Sequence, residues 1–309
     1  MKVIITGASG VLGSAVYVAF KHSPNTEILG LAHSRATGPL VKLDLLDSSA
    51  VEKVFADFKP DWVIHCAAER RPDVAEKDPE GTQKLNAFLP AFLSQLGKKL
   101  KYKLVYISTD YVFDGTSPPY PTSAAPNPVN LYGRTKREGE VAVLGAISEG
   151  GLEATVLRVP VLYGPAPQNS DTAVNILVDV VEDQSGKVYK MDHYATRFPT
   201  NVVDIANFLV RLSSLSQTLP PIIHFSSPEP YTKYEMCLVF AKLLSLPHSH
   251  IVPDSEAPTG ASATSRPKNC QLDTTATEAF CRGIEYSLFE EWWAEYFKDG
   301  GAKSYRAPE

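Results

Sequence analysis

The chain has 309 residues, of which 44% are hydrophobic and 21% are charged, and its formal net charge at pH 7 is -5. These values are typical of a globular protein and exclude a disordered chain, and the weak negative charge gives no general field that would attract nucleic acid or an anionic membrane. No apolar run approaches the roughly 20 residues that span a bilayer, and the four cysteines lie far apart without a Cys-x-x-Cys pair, so we expect a cytoplasmic protein with neither a metal site nor a disulfide framework.

The first half of the chain alternates short apolar runs with longer amphipathic stretches, which is the pattern of βαβ units. Strands are predicted at residues 3–6, 27–32, 62–66, 103–108 and 154–158. Helices are predicted at residues 13–21, 49–58, 79–96 and 132–144. The predicted fold class is therefore α/β, a Rossmann doubly wound parallel sheet with helices on both faces.

The second half is predicted to leave this sheet and return to it. After Tyr163 the composition shifts to a loop rich in Pro, Ser and Asn, whereas a helix beginning at Val202 and a strand at 220–225 lead back to the sheet. An aromatic helix is predicted at 287–297, and 254–268 has the composition of a surface loop. We assign residues 1–164 and 198–227 to the dinucleotide-binding domain, 165–197 and 228–298 to a smaller, discontinuous α+β lobe for substrate or partner, and 299–309 to a polar tail.

A glycine-rich loop follows the first strand and opens the first helix. Its residues include Gly7, Ser9, Gly10, Val11, Leu12 and Gly13. Gly7 permits a tight turn, Gly10 lets a pyrophosphate approach the backbone, and Gly13 lets the helix pack closely on the strand. Because the helix N-terminus also offers free N–H groups to phosphates, we predict a dinucleotide site. A βα turn without a ligand is the alternative, which the placement after the first strand disfavours.

The end of the second strand predicts which dinucleotide binds. An acidic residue there usually accepts a hydrogen bond from the ribose 2′-hydroxyl of NAD, but this chain has His33, Ser34 and Arg35. A cation without a carboxylate favours the 2′-phosphate of NADP(H), although Arg35 is also explained as a solvated loop charge. Asp44 is predicted to accept from the adenine amino group or, alternatively, to cap a helix. The predicted cofactor site also includes Leu45, Ala67, Ala68 and Pro160.

A phenol and an ammonium group form the predicted catalytic pair. Tyr132 and Lys136 are four residues apart and share one face of a helix. We expect the Lys136 cation to lower the pKa of Tyr132 and to hold the nicotinamide ribose. Thr109, at the end of a strand, is predicted to donate a hydrogen bond to the substrate oxygen, with Ser108 as the alternative donor. Asn86 is predicted to orient Lys136 through a water molecule.

These motifs resemble those of the extended short-chain dehydrogenases/reductases, in the subgroup of dTDP-4-dehydrorhamnose reductases. The supporting segments are 7–13, 106–115 and 132–136. A further set of segments is similar to the regulatory β subunit of methionine adenosyltransferase, and these are 65–74, 191–193, 197–200, 233–236 and 266–273. The second resemblance implies NADP(H) binding and association with the catalytic subunit that makes S-adenosylmethionine. The stretch 290–309 does not match.

Charged residues at the predicted cleft suggest an anionic ligand. Glu69, Arg70 and Arg71 follow the third strand in the chain, and Arg197 and Arg266 belong to the second lobe. Together they suit a nucleotide sugar, while a local ion-pair cluster and two structural arginines are the alternatives.

Two functions therefore compete. A regulatory subunit would bind NADP(H) as a structural or sensing ligand and associate with the methionine adenosyltransferase catalytic subunit. A reductase would transfer a hydride from NADPH to the 4-keto group of a nucleotide sugar, with Tyr132 as proton donor. Because the similarity continues outside the catalytic motifs, the sequence favours the regulatory subunit.

Overall fold

The computed structural model describes residues 1–257, 265–301 and 305 of the chain. Residues 258–264 of the predicted surface loop, and 302–304 and 306–309 of the predicted tail, lie outside the described residues. The strands are β1 (Lys2–Thr6), β2 (Glu27–Ala32), β3 (Val41–Lys42), β4 (Trp62–His65), β5 (Lys103–Thr109), β6 (Ala154–Val159), β7 (Leu162–Tyr163), β8 (Tyr189–Asp192), β9 (Thr200–Asn201), β10 (Ile222–His224) and β11 (Ile251–Asp254).

Helices connect and cover these strands. They are α1 (Val11–Lys21), α2 (Ser48–Phe58), α3 (Pro72–Ala75), α4 (Pro79–Gln83), α5 (Leu89–Leu100), α6 (Leu131–Ser148), α7 (Ile176–Glu182), α8 (Val202–Ser213), α9 (Lys233–Leu244), α10 (Thr275–Cys281) and α11 (Phe289–Lys298). In the part of the chain that the structure describes, none of them is long and apolar enough to cross a membrane.

The central sheet has, within the described residues, seven strands in the order β10-β6-β5-β4-β1-β2-β3. Every neighbouring pair is parallel. Side chains of β1 alternate between two cores: Val3 and Ile5 pack with α1 and α8 on one face, and Ile4 packs with α2, α5 and α6 on the other. This arrangement confirms the predicted doubly wound α/β fold and brings the carboxyl ends of β1, β2, β4 and β5 to one edge.

The predicted helix at 79–96 is in fact interrupted by a π-helical turn, Lys84–Phe88. Pro90 has no N–H to donate to the carbonyl of Asn86, and this carbonyl instead accepts a hydrogen bond from the hydroxyl of Tyr106 at 3.0 Å. Gly139 of α6 lies against the same carbonyl, so close that a Cβ atom at Gly139 would overlap it. The predicted helix is thus present and continues to Leu100, and it contains a π-helical turn where Pro90 cannot donate to the Asn86 carbonyl.

A second core lies outside the sheet and is built from separate stretches of the chain. It joins residues of α7, α9 and α11 around Tyr163, Phe289 and Trp293, whose side chains are completely buried. The rings of Tyr163 and Phe289 are 5.1 Å apart between centroids. The aromatic residues of α11 thus dock this helix into a core, which is how the apolar face of an amphipathic helix is usually buried.

A buried ion pair fastens α6 to the sheet. Arg158 of β6 and Glu140 of α6 are both fully buried, and the Nε and Nη2 atoms of Arg158 each donate to a Glu140 oxygen at 2.8 Å. Ser108 of β5 donates to Glu140 at 2.7 Å and Arg137 at 3.0 Å. These four donors hold the pKa of Glu140 below its usual value although burial opposes them.

The substitution Glu140→Gln should lower the free energy of unfolding by about 3–5 kcal/mol, because it leaves Arg158 buried without a counter-charge. Urea unfolding measures this change. Glu182→Gln, which alters an exposed carboxylate at the end of α7, is the matched control and should change stability by less than about 0.5 kcal/mol. An equally small effect of Glu140→Gln would show that the pair is not needed to hold α6.

Candidate functional site

The glycine loop lies at the carboxyl end of β1, between the ends of β2 and β4. Gly7 has a φ of +66°, and a Cβ atom there would lie 2.8 Å from the Ala67 nitrogen. The Gly10 N–H donates to the Gly7 carbonyl at 2.8 Å, and α1 begins at Val11. A Cβ atom at Gly13 would overlap that same Gly7 carbonyl. The loop therefore needs glycine at Gly7 and Gly13 for its own geometry, and it leaves the N-terminus of α1 facing the cleft.

The remaining predicted adenosine-side residues surround this loop. His33, Ser34 and Asp44 are exposed, whereas Leu45 packs into the core with α2. Asp44 accepts a hydrogen bond from the Leu46 N–H at 2.9 Å and does not cap α2. The cap is Asp47, which accepts from the Ala50 N–H. Of the other predicted cofactor residues, Ser9, Val11, Ala67 and Ala68 are partly buried and Leu12 and Pro160 are buried.

Arg35 is exposed beyond β2 but is not a free charge. Its Nη1 atom forms an ion pair with Asp171 Oδ1 at 2.9 Å. Asp171 belongs to a 3₁₀ turn, Asn169–Asp171, and its main-chain carbonyl also accepts a hydrogen bond from Arg70. The sequence has no carboxylate at the end of β2, but the fold brings the carboxylate of Asp171 there, 136 positions after Arg35.

Tyr132 lies near Thr109 at the carboxyl end of β5, and this neighbour lowers the pKa of the phenol against the effect of burial. The alternative donor, Ser108, is buried and committed to Glu140. Burial raises the pKa of Tyr132 well above its usual value, and the nearby cation Arg70 opposes this rise. The expectation that Lys136 lowers the pKa of Tyr132 stays a prediction.

Lys136 is turned into the protein interior. Its Nζ atom donates to the Ile107 carbonyl at 2.7 Å and lies 4.0 Å from the centroid of the Tyr106 ring. Burial lowers the pKa of Lys136 to about 7, while Glu140 and Cys66 favour the charged form.

Asn86 contacts the loop after β4, and its predicted link to Lys136 through a water molecule stays a prediction. It is fully buried, its Oδ1 atom accepts from the Glu69 N–H at 3.0 Å, and its amide donates to the Glu69 carbonyl at 2.9 Å and to Thr135 at 3.2 Å. The amide thus ties the loop after β4 to α6. Glu69 in turn forms an ion pair with Arg71 at 3.1 Å, as the ion-pair alternative anticipated.

The two arginines of the second lobe differ in burial. Arg197 is 5% exposed, donates to the Pro267 carbonyl at 2.9 Å and lies over the ring of Tyr111. Arg266 crosses the cleft and pairs with Asp73 at 2.7 Å. Arg197 is therefore held as a structural residue, whereas Arg266 links the second lobe to the segment after β4.

Several residues of the site were not found from the sequence. Asp110 is buried beside Thr109, whose hydroxyl donates to it at 3.0 Å, and burial raises the pKa of Asp110 to about 7. Asp171 and Glu140 are the others. Glu140 carried a signal, because it lies four residues after Lys136 on the same helical face, whereas Asp171 carried none.

Comparison with known proteins gives consistent relatives. Residues 1–299 match the family model described as RmlD substrate binding domain. The chain is 46% identical over 280 residues to methionine adenosyltransferase 2 subunit beta of Xenopus tropicalis, with 90% of this chain and 81% of that protein covered. The Bos taurus protein of the same name is 44% identical over 299 residues, with 93% and 87% covered.

Reductases also match. A dTDP-4-keto-6-deoxy-D-glucose reductase of Streptomyces niveus is 31% identical over 257 residues, which is 81% of each chain. The crystal structure of dTDP-4-dehydrorhamnose reductase from Bacillus anthracis in complex with NADP has a TM-score of 0.80 at 24% identity and covers 96% of this chain and 98% of that one. This likeness confirms the predicted fold.

The substitution Gly13→Ala should lower the free energy of unfolding by about 1–3 kcal/mol, because the added methyl group overlaps the Gly7 carbonyl and displaces the loop. Urea unfolding measures the change. Gly145→Ala in α6 is the control: a Cβ atom there meets nothing within 4 Å, so stability should rise by up to about 1 kcal/mol. Equal effects of the two substitutions would contradict the close packing of the loop.

Proposed function

The chain belongs to the RmlD substrate binding domain family and to its methionine adenosyltransferase 2 β-subunit group, and from this membership we propose that it is an NADP(H)-binding regulatory subunit of methionine adenosyltransferase. It would associate with the catalytic subunit and support S-adenosylmethionine synthesis. The observation that carries the proposal is the 46% identity that continues over 90% of the chain, far beyond the glycine loop and the Tyr132–Lys136 motif.

The electrostatics of the cleft support a binding role over turnover. A proton donor works best with a pKa near the working pH, but burial raises the pKa of Tyr132 away from neutrality. The cleft arginines also have partners inside the chain: Arg71 pairs with Glu69 and Arg266 with Asp73. Each pair reduces the positive charge offered to a nucleotide sugar.

The NADP(H) part of the proposal is supported by the loop and by Arg35. The N-terminus of α1 offers free N–H groups to the pyrophosphate, and the guanidinium of Arg35 lies beyond the end of β2, where Rossmann proteins bind the adenosine ribose. A cytosolic location also belongs to the proposal, and the four cysteines, which are free thiols, support it.

A nucleotide-sugar reductase is the second candidate, and the proximity of Thr109 to Tyr132 favours it. In that function the bound NADPH would supply a hydride, Thr109 would hold the substrate oxygen and Tyr132 would donate the proton. Retention of these groups makes reduction chemically possible without requiring it, because Rossmann sites persist in proteins that use them for binding alone.

A co-purification and an NADPH oxidation assay on the same purified protein separate the two functions. The protein should co-purify with a methionine adenosyltransferase catalytic subunit, and Tyr132→Phe should leave this complex intact because the phenol hydroxyl serves no contact in a regulatory role. Oxidation of NADPH in the presence of dTDP-4-dehydrorhamnose should be absent. Tyr286→Phe, which changes an exposed ring, is the control. Turnover that Tyr132→Phe abolishes, together with failure to bind the catalytic subunit, would overturn the proposal in favour of the reductase.

For the cofactor, Arg35→Ala should weaken NADPH binding about tenfold or more and NADH binding much less, since a charged hydrogen bond to a phosphate contributes about 1.5–3 kcal/mol. Fluorescence titration with each dinucleotide measures both affinities. Lys53→Ala removes an exposed cation of α2 and should change neither. Equal losses for NADPH and NADH would mean that Arg35 does not contact the 2′-phosphate.

A further inference from the structure

A carboxylate and two arginines meet above the glycine loop. Arg35 Nη1 lies 2.9 Å from Asp171 Oδ1, and the side chains of Arg35 and Asp171 are 49% and 16% exposed. Arg70 donates to the main-chain carbonyl of Asp171. The turn Asn169–Asp171 is therefore held by one arginine beyond β2 and by another after β4.

This arrangement places Asp171 over the predicted cofactor path. In the sheet, β1 lies between β2 and β4. Asp171 contacts Arg35, which follows β2, and Arg70, which follows β4. It therefore lies over the carboxyl end of β1. That end carries the glycine loop, with Gly7 packed against Ala67. Asp171 consequently lies at the adenosine side of the cleft, next to the group assigned to the 2′-phosphate.

The second oxygen of the Asp171 carboxylate has capacity to accept a hydrogen bond. Oδ2 is buried and has no hydrogen-bond partner among the residues that the structure describes. A buried carboxylate oxygen without a donor is costly, and such an atom at a cleft is a natural acceptor for a ligand hydroxyl. In Rossmann proteins that bind NAD, a carboxylate at the end of β2 accepts from the ribose 2′-hydroxyl.

We propose that Asp171 is a specificity-determining residue of the dinucleotide site, which lowers the preference for NADP(H) and lets NAD(H) bind by accepting its ribose 2′-hydroxyl. The inference rests on the proposed function, since it requires that the cleft bind a nicotinamide dinucleotide. Two effects act in the same direction. Asp171 occupies a donor of Arg35 that a 2′-phosphate would use, and its negative charge repels the phosphate dianion.

The size of the effect is limited by solvent. Arg35 is half exposed, so water and salt screen its interaction with both Asp171 and a phosphate. Asp171 therefore adjusts the ratio of the two affinities without excluding either dinucleotide. The adjustment should be larger at low ionic strength than at high ionic strength.

The substitution Asp171→Asn tests this inference, because it removes the charge and keeps the size of the side chain. Titration of the full chain with NADPH and with NADH at low salt should show NADPH binding about tenfold tighter and NADH binding unchanged or weaker. At about 0.5 M salt the gain for NADPH should shrink, as screening requires. Asp171→Ser is a second variant without the charge and should shift the ratio in the same direction.

The control is Asp179→Asn. Asp179 is an exposed carboxylate of α7 that accepts from Asn169 at 2.6 Å, so its loss loosens the same turn without removing the charge beside Arg35. The ratio of NADPH to NADH affinity should stay as in the unmodified chain. Thermal unfolding of each variant verifies that the fold is retained.

Three outcomes would overturn the inference. If both Asp171 variants leave the affinity ratio unchanged while the unmodified chain binds NADPH, Asp171 only holds the turn and the proposed function still stands. If Asp179→Asn shifts the ratio as strongly as Asp171→Asn, loosening of the turn is the cause. If the unmodified chain binds neither dinucleotide, the cofactor part of the proposed function fails together with the inference.

Discussion

The buried ion pair between Glu140 and Arg158 is the interaction on which the site depends. Two charges in the interior are costly to desolvate and are tolerated only when every donor and acceptor is satisfied. Here Ser108 and Arg137 complete the pair, and the Nε2 atom of His224 lies 3.4 Å from Arg158. The geometry that satisfies Glu140 therefore fixes the rotation of α6, and with it the direction of the side chains one and two turns earlier.

Tyr132 and Lys136 take their places from that rotation. Glu140 faces β5 and β6, so Lys136, one turn earlier, is also directed into the interior and donates to the Ile107 carbonyl. Tyr132, a further turn earlier, lies near Thr109 at the end of β5. The π-helical turn also stabilises the site. Because Pro90 has no N–H, the Asn86 carbonyl accepts a hydrogen bond from Tyr106 instead. The Asn86 side chain accepts one from the Glu69 N–H. A local change in one hydrogen-bond ladder thus shapes the wall of the cleft.

Burial and internal ion pairs set the electrostatics of the site. Burial, which gives the cleft its defined geometry, also raises the pKa of Tyr132 and lowers that of Lys136. The acidic and basic groups that line the cleft are largely paired with one another. The similarity to methionine adenosyltransferase 2 β subunits continues across the chain, well beyond these residues.

The sequence by itself determined the alternation of strands and helices, the glycine loop and the spacing of Tyr132 and Lys136, because these depend on local periodicity and on backbone conformations that few residues adopt. It could not determine which charges meet. Arg35 looked like a free cation beyond β2, and only the folded chain brings Asp171 to it across 136 positions. The hydrogen bond of Ser108 to Glu140, the burial of Lys136 and the π-helical turn were likewise decided by tertiary packing. Desolvation and hydrogen-bond competition act between segments that are distant in the chain.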